Sequence, residues 1–124
     1  MLQLICHLIG DYILQSHDMA TKKTSKSFWA LYHAMTYTLP FLFLTQQLWQ
    51  LFLIMFTHFL IDRFRLAVYL VRIKNILFGD WREGYERFIT PTGYPAETPV
   101  FLSVWLLIIA DNTIHLLINY LILR

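Results

Sequence analysis

Apolar residues fill four long stretches of this chain, parted by short polar or irregular segments. A bilayer-spanning helix needs roughly 17–25 mostly apolar residues, and the pattern predicts helices over about 1–16, 27–45, 47–74 and 98–123. The first opens on Met1 with no charged leader and no small-residue cleavage site, so it reads as a retained helix and not a signal peptide. Its roughly fifteen residues, at 1.5 Å each, reach only about 22 Å of a 30 Å hydrocarbon core. Pro40 predicts a kink near the far end of the second. The third stays helical in pattern through Asp62 to Lys74, although Arg63, Arg65, Arg72 and Lys74 place its later part outside the hydrocarbon. The fourth carries Pro99 in its first turn, where a missing N–H costs nothing. Residues 75–97 mix Gly79, Gly84, Gly93, Pro91 and Pro95 with Trp81, Tyr85, Phe88 and Tyr94. They read as an aromatic loop or short helix on the membrane interface, or as a segment folded over the mouth of an internal site.

Composition turns these stretches into a membrane reading. Hydrophobic residues make up 57% of the 124 and charged residues 15%, against about 25% charged in an average soluble chain. A soluble domain this small cannot hide that much apolar surface. The expectation is an all-α, four-helix polytopic transmembrane bundle forming one domain over residues 1–124. The single cysteine, Cys6, excludes an internal disulfide and a Cys-x-x-Cys zinc site.

Charge then orients the bundle. Lys22, Lys23 and Lys26 fall between helices one and two, and Arg63, Arg65, Arg72, Lys74, Arg82 and Arg87 lie at or after the end of helix three. Cytoplasmic loops are the ones enriched in Lys and Arg. This predicts a bacterial inner-membrane protein with both termini outside and loops 17–26 and 75–97 in the cytoplasm. A net charge of +2, concentrated at the membrane boundary, argues against nucleic-acid binding.

Polar residues inside the spans are expensive and point to function. His7 and Asp11 lie on helix one, His58 and Asp62 on helix three, and Asp111 and His115 on helix four, each pair spaced i, i+4. That spacing puts both side chains of a pair on one face. His33 lies within helix two. With the predicted topology, each His sits toward the outside and its Asp about 6 Å nearer the cytoplasm, so the bundle would present a tier of imidazoles above a tier of carboxylates. Mixed N/O donors of this kind suit one or two divalent ions, Zn, Mn or Fe, held by His7, Asp11, His33, His58, Asp62, Asp111 and His115. A metal-free polar network or proton relay is the competing reading of the same residues. Gln15, Tyr37, Asn112 and Asn119 are candidates to orient the ligands, and Gly10 to permit close helix approach.

The opening His7-Leu-Ile-Gly-Asp11-Tyr-Ile-Leu-Gln15, the Met19-Ala20 and Lys22 stretch, His33, Thr57-His58-Phe-Leu-Ile-Asp62 and Ala110-Asp111-Asn112-Thr-Ile-His115 resemble the family catalogued as domain of unknown function 3307. The resemblance spans nearly the whole chain and implies a small integral membrane protein of bacteria or their phages; the stretch Thr92–Pro95 looks like the phage-type members. It implies no settled activity. Site composition also resembles, more generally, that of membrane-bound metal-dependent hydrolases, an analogy of residue types alone.

These residues predict a metal-dependent intramembrane hydrolase acting on a lipid or lipid-linked phosphate. The metal would lower the pKa of bound water, and Asp62 would be the general base. Arg63 and Arg65 would either attract an anionic headgroup or serve as ordinary cytoplasmic-side anchors. The alternatives are a non-enzymatic ion-binding or transport protein, as an oligomer of identical chains, and a phage membrane factor with a structural metal that binds a host membrane protein.

Overall fold

The structure, a computed structural model, describes residues 1–124 apart from the side chain of Trp81. Among the described residues every regular element is helical. The chain divides into two compact units, one of Met1–Phe64 with His115–Arg124 and the other of Arg65–Ile114.

In the first unit α1 (Leu2–Leu8) widens into a π-helical turn over Ile9–Ile13, closed by the Leu14 amide donating to the Ile9 carbonyl at 2.9 Å. A short helix, α2 (His17–Lys22), follows where a loop is expected. Ser16 caps it by accepting from the Met19 amide, Asp18 sits in its first turn and Lys22 in its last. These are ordinary start and stop signals. The Lys22 ammonium, hydrogen-bonded to Asp18, holds that carboxyl below its usual range.

Next come α3 (Ser27–Thr38) and α4 (Leu48–Phe64), which pack against each other. Pro40 tightens the end of α3 into a 3-10 turn over Leu39–Phe43. The apolar core gathers Cys6, Tyr37, Phe41, Leu51 and Ile54. At the same end Gln50 donates to the Ile122 carbonyl at 2.9 Å, satisfying an acceptor that a helix C-terminus leaves open.

In the second unit, α5 (Leu66–Phe78) is separate from α4, contrary to the single helix expected over 47–74. Arg65 takes a left-handed conformation, φ 52°, and interrupts the hydrogen-bond ladder. Helix α5 also runs on through the start of the expected loop and stops at Gly79. Two 3-10 turns, Trp81–Glu83 and Tyr85–Phe88, fill part of that loop.

The last helix, α6 (Val100–Leu123), contributes to both units. It is the one helix among the described residues long and apolar enough to cross a bilayer alone. The other expected spans are shorter: the first runs over Leu2–Ile13, the second gives way to a 3-10 turn at Pro40, and the third is broken at Arg65.

Candidate metal centre

The first unit brings the polar residues of its helices together. His7 lies on α1, Asp11 on the π turn, His33 on α3, His58 and Asp62 on α4 and His115 on the C-terminal part of α6; all six are buried. Gly10 makes the π turn fit: a Cβ there would lie 2.5 Å from the ring of Tyr37. The π turn thereby passes close to α3 and delivers Asp11 to it.

Donor atoms converge around His33 and His58. Their Nε2 atoms face each other at 3.0 Å. Asp11 Oδ1 lies 3.3 Å from His33 Nε2 and 3.4 Å from His58 Nε2. Asp62 Oδ2 lies 3.3 Å and 3.2 Å from the same two nitrogens. A zinc-like ion with bonds of 2.0–2.2 Å to four tetrahedral donors holds those donors about 3.3–3.6 Å apart. The donor spacings, 3.0–3.4 Å, are close to that set.

A proton shared between the imidazoles serves one such contact, whereas a central cation serves all of them. Asp11 Oδ1 is buried with no geometrically sound hydrogen bond, a costly arrangement unless another group completes it, while Asp62 Oδ2 has the Lys23 ammonium 2.9 Å away. Asp11, His33 and His58 form one group able to hold an ion, and His58, Asp62 and His115 form a second. Asp62 turns Oδ2 to the first group, while its Oδ1 lies 3.7 Å from His115 Nε2. The carboxylate thus stands where it can bridge two positions.

The expected two tiers are not what forms. Carboxylate and imidazole atoms meet in one cluster, because the four-residue spacing stacks the two side chains of a pair within reach of each other. On α4 this turns Asp62 back onto His58, a turn earlier.

Tyr37 organises the surroundings. Its ring stacks on His58 with centroids 3.6 Å apart. Its hydroxyl accepts from Asn119 Nδ2 at 2.6 Å and meets His7 Nδ1 at 2.9 Å. His7 also lies 3.5 Å from Asp11, so it stands beside the converging donors and outside both three-residue groups. Gln15 donates to the Asp11 backbone carbonyl, 3.0 Å, and so fastens the end of the π turn. Asp111 and Asn112 are half-buried in the second unit, and Asp111 belongs to neither group.

One participant escapes the sequence reading. Lys23, grouped there with the loop lysines, places its Nζ 2.9 Å from Asp62 Oδ2. Helix α2, with Met19 buried, has Lys23 as its C-terminal cap residue. Arg63 donates to the Thr24 carbonyl and to Ser27 Oγ, 2.8 and 3.1 Å, tying the connection between α2 and α3 to the end of α4. It is engaged within the protein.

No curated protein and no solved structure gives a significant match to this chain. A family described as Protein of unknown function (DUF3307) matches residues 1–85, a stretch that holds His7, Asp11, His33, His58 and Asp62 and stops short of His115. Since that match covers more than half of the residues, the chain belongs to the DUF3307 family.

Proposed function

We propose that this is a membrane-embedded, metal-dependent hydrolase of a lipid or lipid-linked phosphate. The observation that carries the reading is the convergence of Asp11 Oδ1, His33 Nε2 and His58 Nε2 with the Asp62 carboxylate beside them. Asp11, His33 and His58 would hold a divalent ion, whose chemistry there would be to lower the pKa of a water and polarise the scissile phosphoryl oxygen. Asp62, 3.2–3.3 Å from both imidazole nitrogens and oriented by Lys23, takes the proton from that water. That proton would pass from Asp62 to the alkoxide released when the water oxygen replaces it on phosphorus.

Membrane embedding is supported by the inverted polarity of the surface. Phe28 and Met35 on α3, Phe52 and Phe56 on α4, and Trp105 and Leu117 on α6 are exposed, while histidines and aspartates are buried. Exposed apolar area of this extent suits hydrocarbon and not water. Four spans with both termini outside would complete the picture.

A second reading has its own observation. Asp62 Oδ2 fills the fourth corner of the donor set, and closed four-ligand sites are the structural kind. The ion would then be structural, or transient cargo of a transport protein. Elemental analysis of the protein after gentle detergent extraction comes first: a divalent metal near one or two per chain is expected, and metal-free protein sinks both readings. Asp62→Asn then separates them. A hydrolase loses turnover of a lipid phosphate yet keeps its metal and fold, whereas a structural centre loses stability in step with metal.

A further inference from the structure

Helix α5 has two unlike faces within the second unit. Ala67, Val68 and Val71 are buried. Along the same side the chain from Phe88 to Tyr94 is held by polar bonds: Arg72 donates to the Phe88 and Thr90 carbonyls at 3.2 and 3.3 Å, and Asn75 donates to the Gly93 carbonyl at 2.9 Å. Gly93 lets this segment touch the helix backbone, since a Cβ there would lie 3.0 Å from the Val68 carbonyl oxygen. The opposite face is bare and apolar. Leu66, Leu70, Ile73 and Leu77 follow the helical repeat and are 40%, 48%, 55% and 68% exposed.

These two faces suit neither bulk phase. A water-facing helix does not gain from an exposed leucine–isoleucine stripe. Thirteen residues extend about 20 Å, too little for a 30 Å core, and irregular backbone does not sit exposed to hydrocarbon. Charge identifies the boundary between the phases. Arg65 donates to the Pro91 carbonyl, Arg72 to two carbonyls and Lys74 to the Tyr94 hydroxyl. Among the described residues no carboxylate pairs with these three cations, so their charge is left for an anionic partner outside the chain. The aromatic rings of Tyr69 and Tyr94 lie by Arg72 and Lys74, 5.5 and 5.1 Å from the charged groups, and tyrosines favour the headgroup level.

We propose that α5 is an interfacial helix, lying on an anionic lipid surface with Leu66, Leu70, Ile73 and Leu77 inserted and Arg65, Arg72 and Lys74 at the phosphate level. The proposal goes beyond the metal centre and does not depend on it. Its test uses the full chain in nanodiscs of phosphatidylcholine, with or without phosphatidylglycerol, in a Cys6→Ser background. Ile73→Cys and Glu86→Cys each receive an environment-sensitive fluorophore. The expected result is that the Ile73 probe emits to the blue and escapes iodide quenching. It should be quenched best by a spin label near the lipid headgroup, more so with phosphatidylglycerol, while the exposed Glu86 position stays open to iodide. Leu77→Cys repeats the measurement should the first variant fail to fold. Equal iodide access at both sites overturns the proposal. So does protection without lipid quenching, which would place a second copy on the stripe, and so does quenching best by a spin label at the chain end, which would make α5 part of a span.

Discussion

At Gly10 a single hydrogen in place of a methyl decides where Tyr37 can sit, and Tyr37 in turn stacks on His58 and meets His7 and Asn119. Gly10→Ala must push the Tyr37 ring away or move α3. A cost of about 1–3 kcal/mol, typical of overpacking, is expected in thermal unfolding, together with weaker metal binding. Tyr37→Phe keeps the stack but removes the hydroxyl that Asn119 meets; about 1–3 kcal/mol of stability should be lost. Supporting residues of this kind change metal affinity about 10–100-fold, and calorimetric titration with Zn²⁺ checks both variants. The histidines and aspartates of the cluster were legible because a polar group in an apolar stretch needs a partner. Lys23 was not, since its pairing with Asp62 joins positions far apart in the chain and a loop lysine looks the same whatever it contacts.

Helix breaks set the next scale. Arg65 separates α4 from α5 in a left-handed conformation, which costs an L-residue about 1–2 kcal/mol, and its bond to the Pro91 carbonyl offsets part of that. Arg65→Val adds a β-branched side chain in the same conformation and gives up the bond. It should lower stability by about 1–2 kcal/mol, whereas Arg65→Asn, which tolerates this conformation, should lose less; chemical denaturation in detergent compares them. Gly93 has φ +78° and touches α5, so Gly93→Ala should loosen the segment from Thr90 to Tyr94. Hydrogen exchange confined to residues 88–94 and α5 would report it, and unchanged protection would refute the contact. Neither the break at Arg65 nor the widening of the first helix into a π turn was legible. No proline or glycine marks Arg65, and the π turn packs at Gly10 against Tyr37 from another helix. Pro40 was legible, because its missing N–H forces the change locally.

At the scale of the molecule, metal and fold should be linked. An ion bound only by the folded chain raises stability by about 2.7 kcal/mol at a hundredfold excess over Kd, so chelation should lower Tm and Zn²⁺ should restore it. Acidification should weaken the binding, because protons compete with the cation for imidazole and carboxylate donors; binding therefore strengthens as pH rises through the range where those donors lose their protons. A Tm indifferent to chelator would show that the cluster does not hold a stabilising ion. The surface, with apolar side chains outward on α3, α4 and α6, should demand detergent at every stage of handling.

Read by itself, the sequence determined that the chain is helical, that it is more apolar and less charged than an average soluble chain, and that His7, Asp11, His33, His58, Asp62, Asp111 and His115 are candidates for one site. Those conclusions follow from composition and from the 3.6-residue repeat, which are local properties. Only the tertiary structure decided which donor atoms meet, that Asp111 stands outside both groups, that Lys23 reaches Asp62, and that α4 and α5 are separate helices. Each of these depends on contact between residues distant in the chain, where the balance between packing, strain and hydrogen bonding is settled by the neighbour and not by the segment.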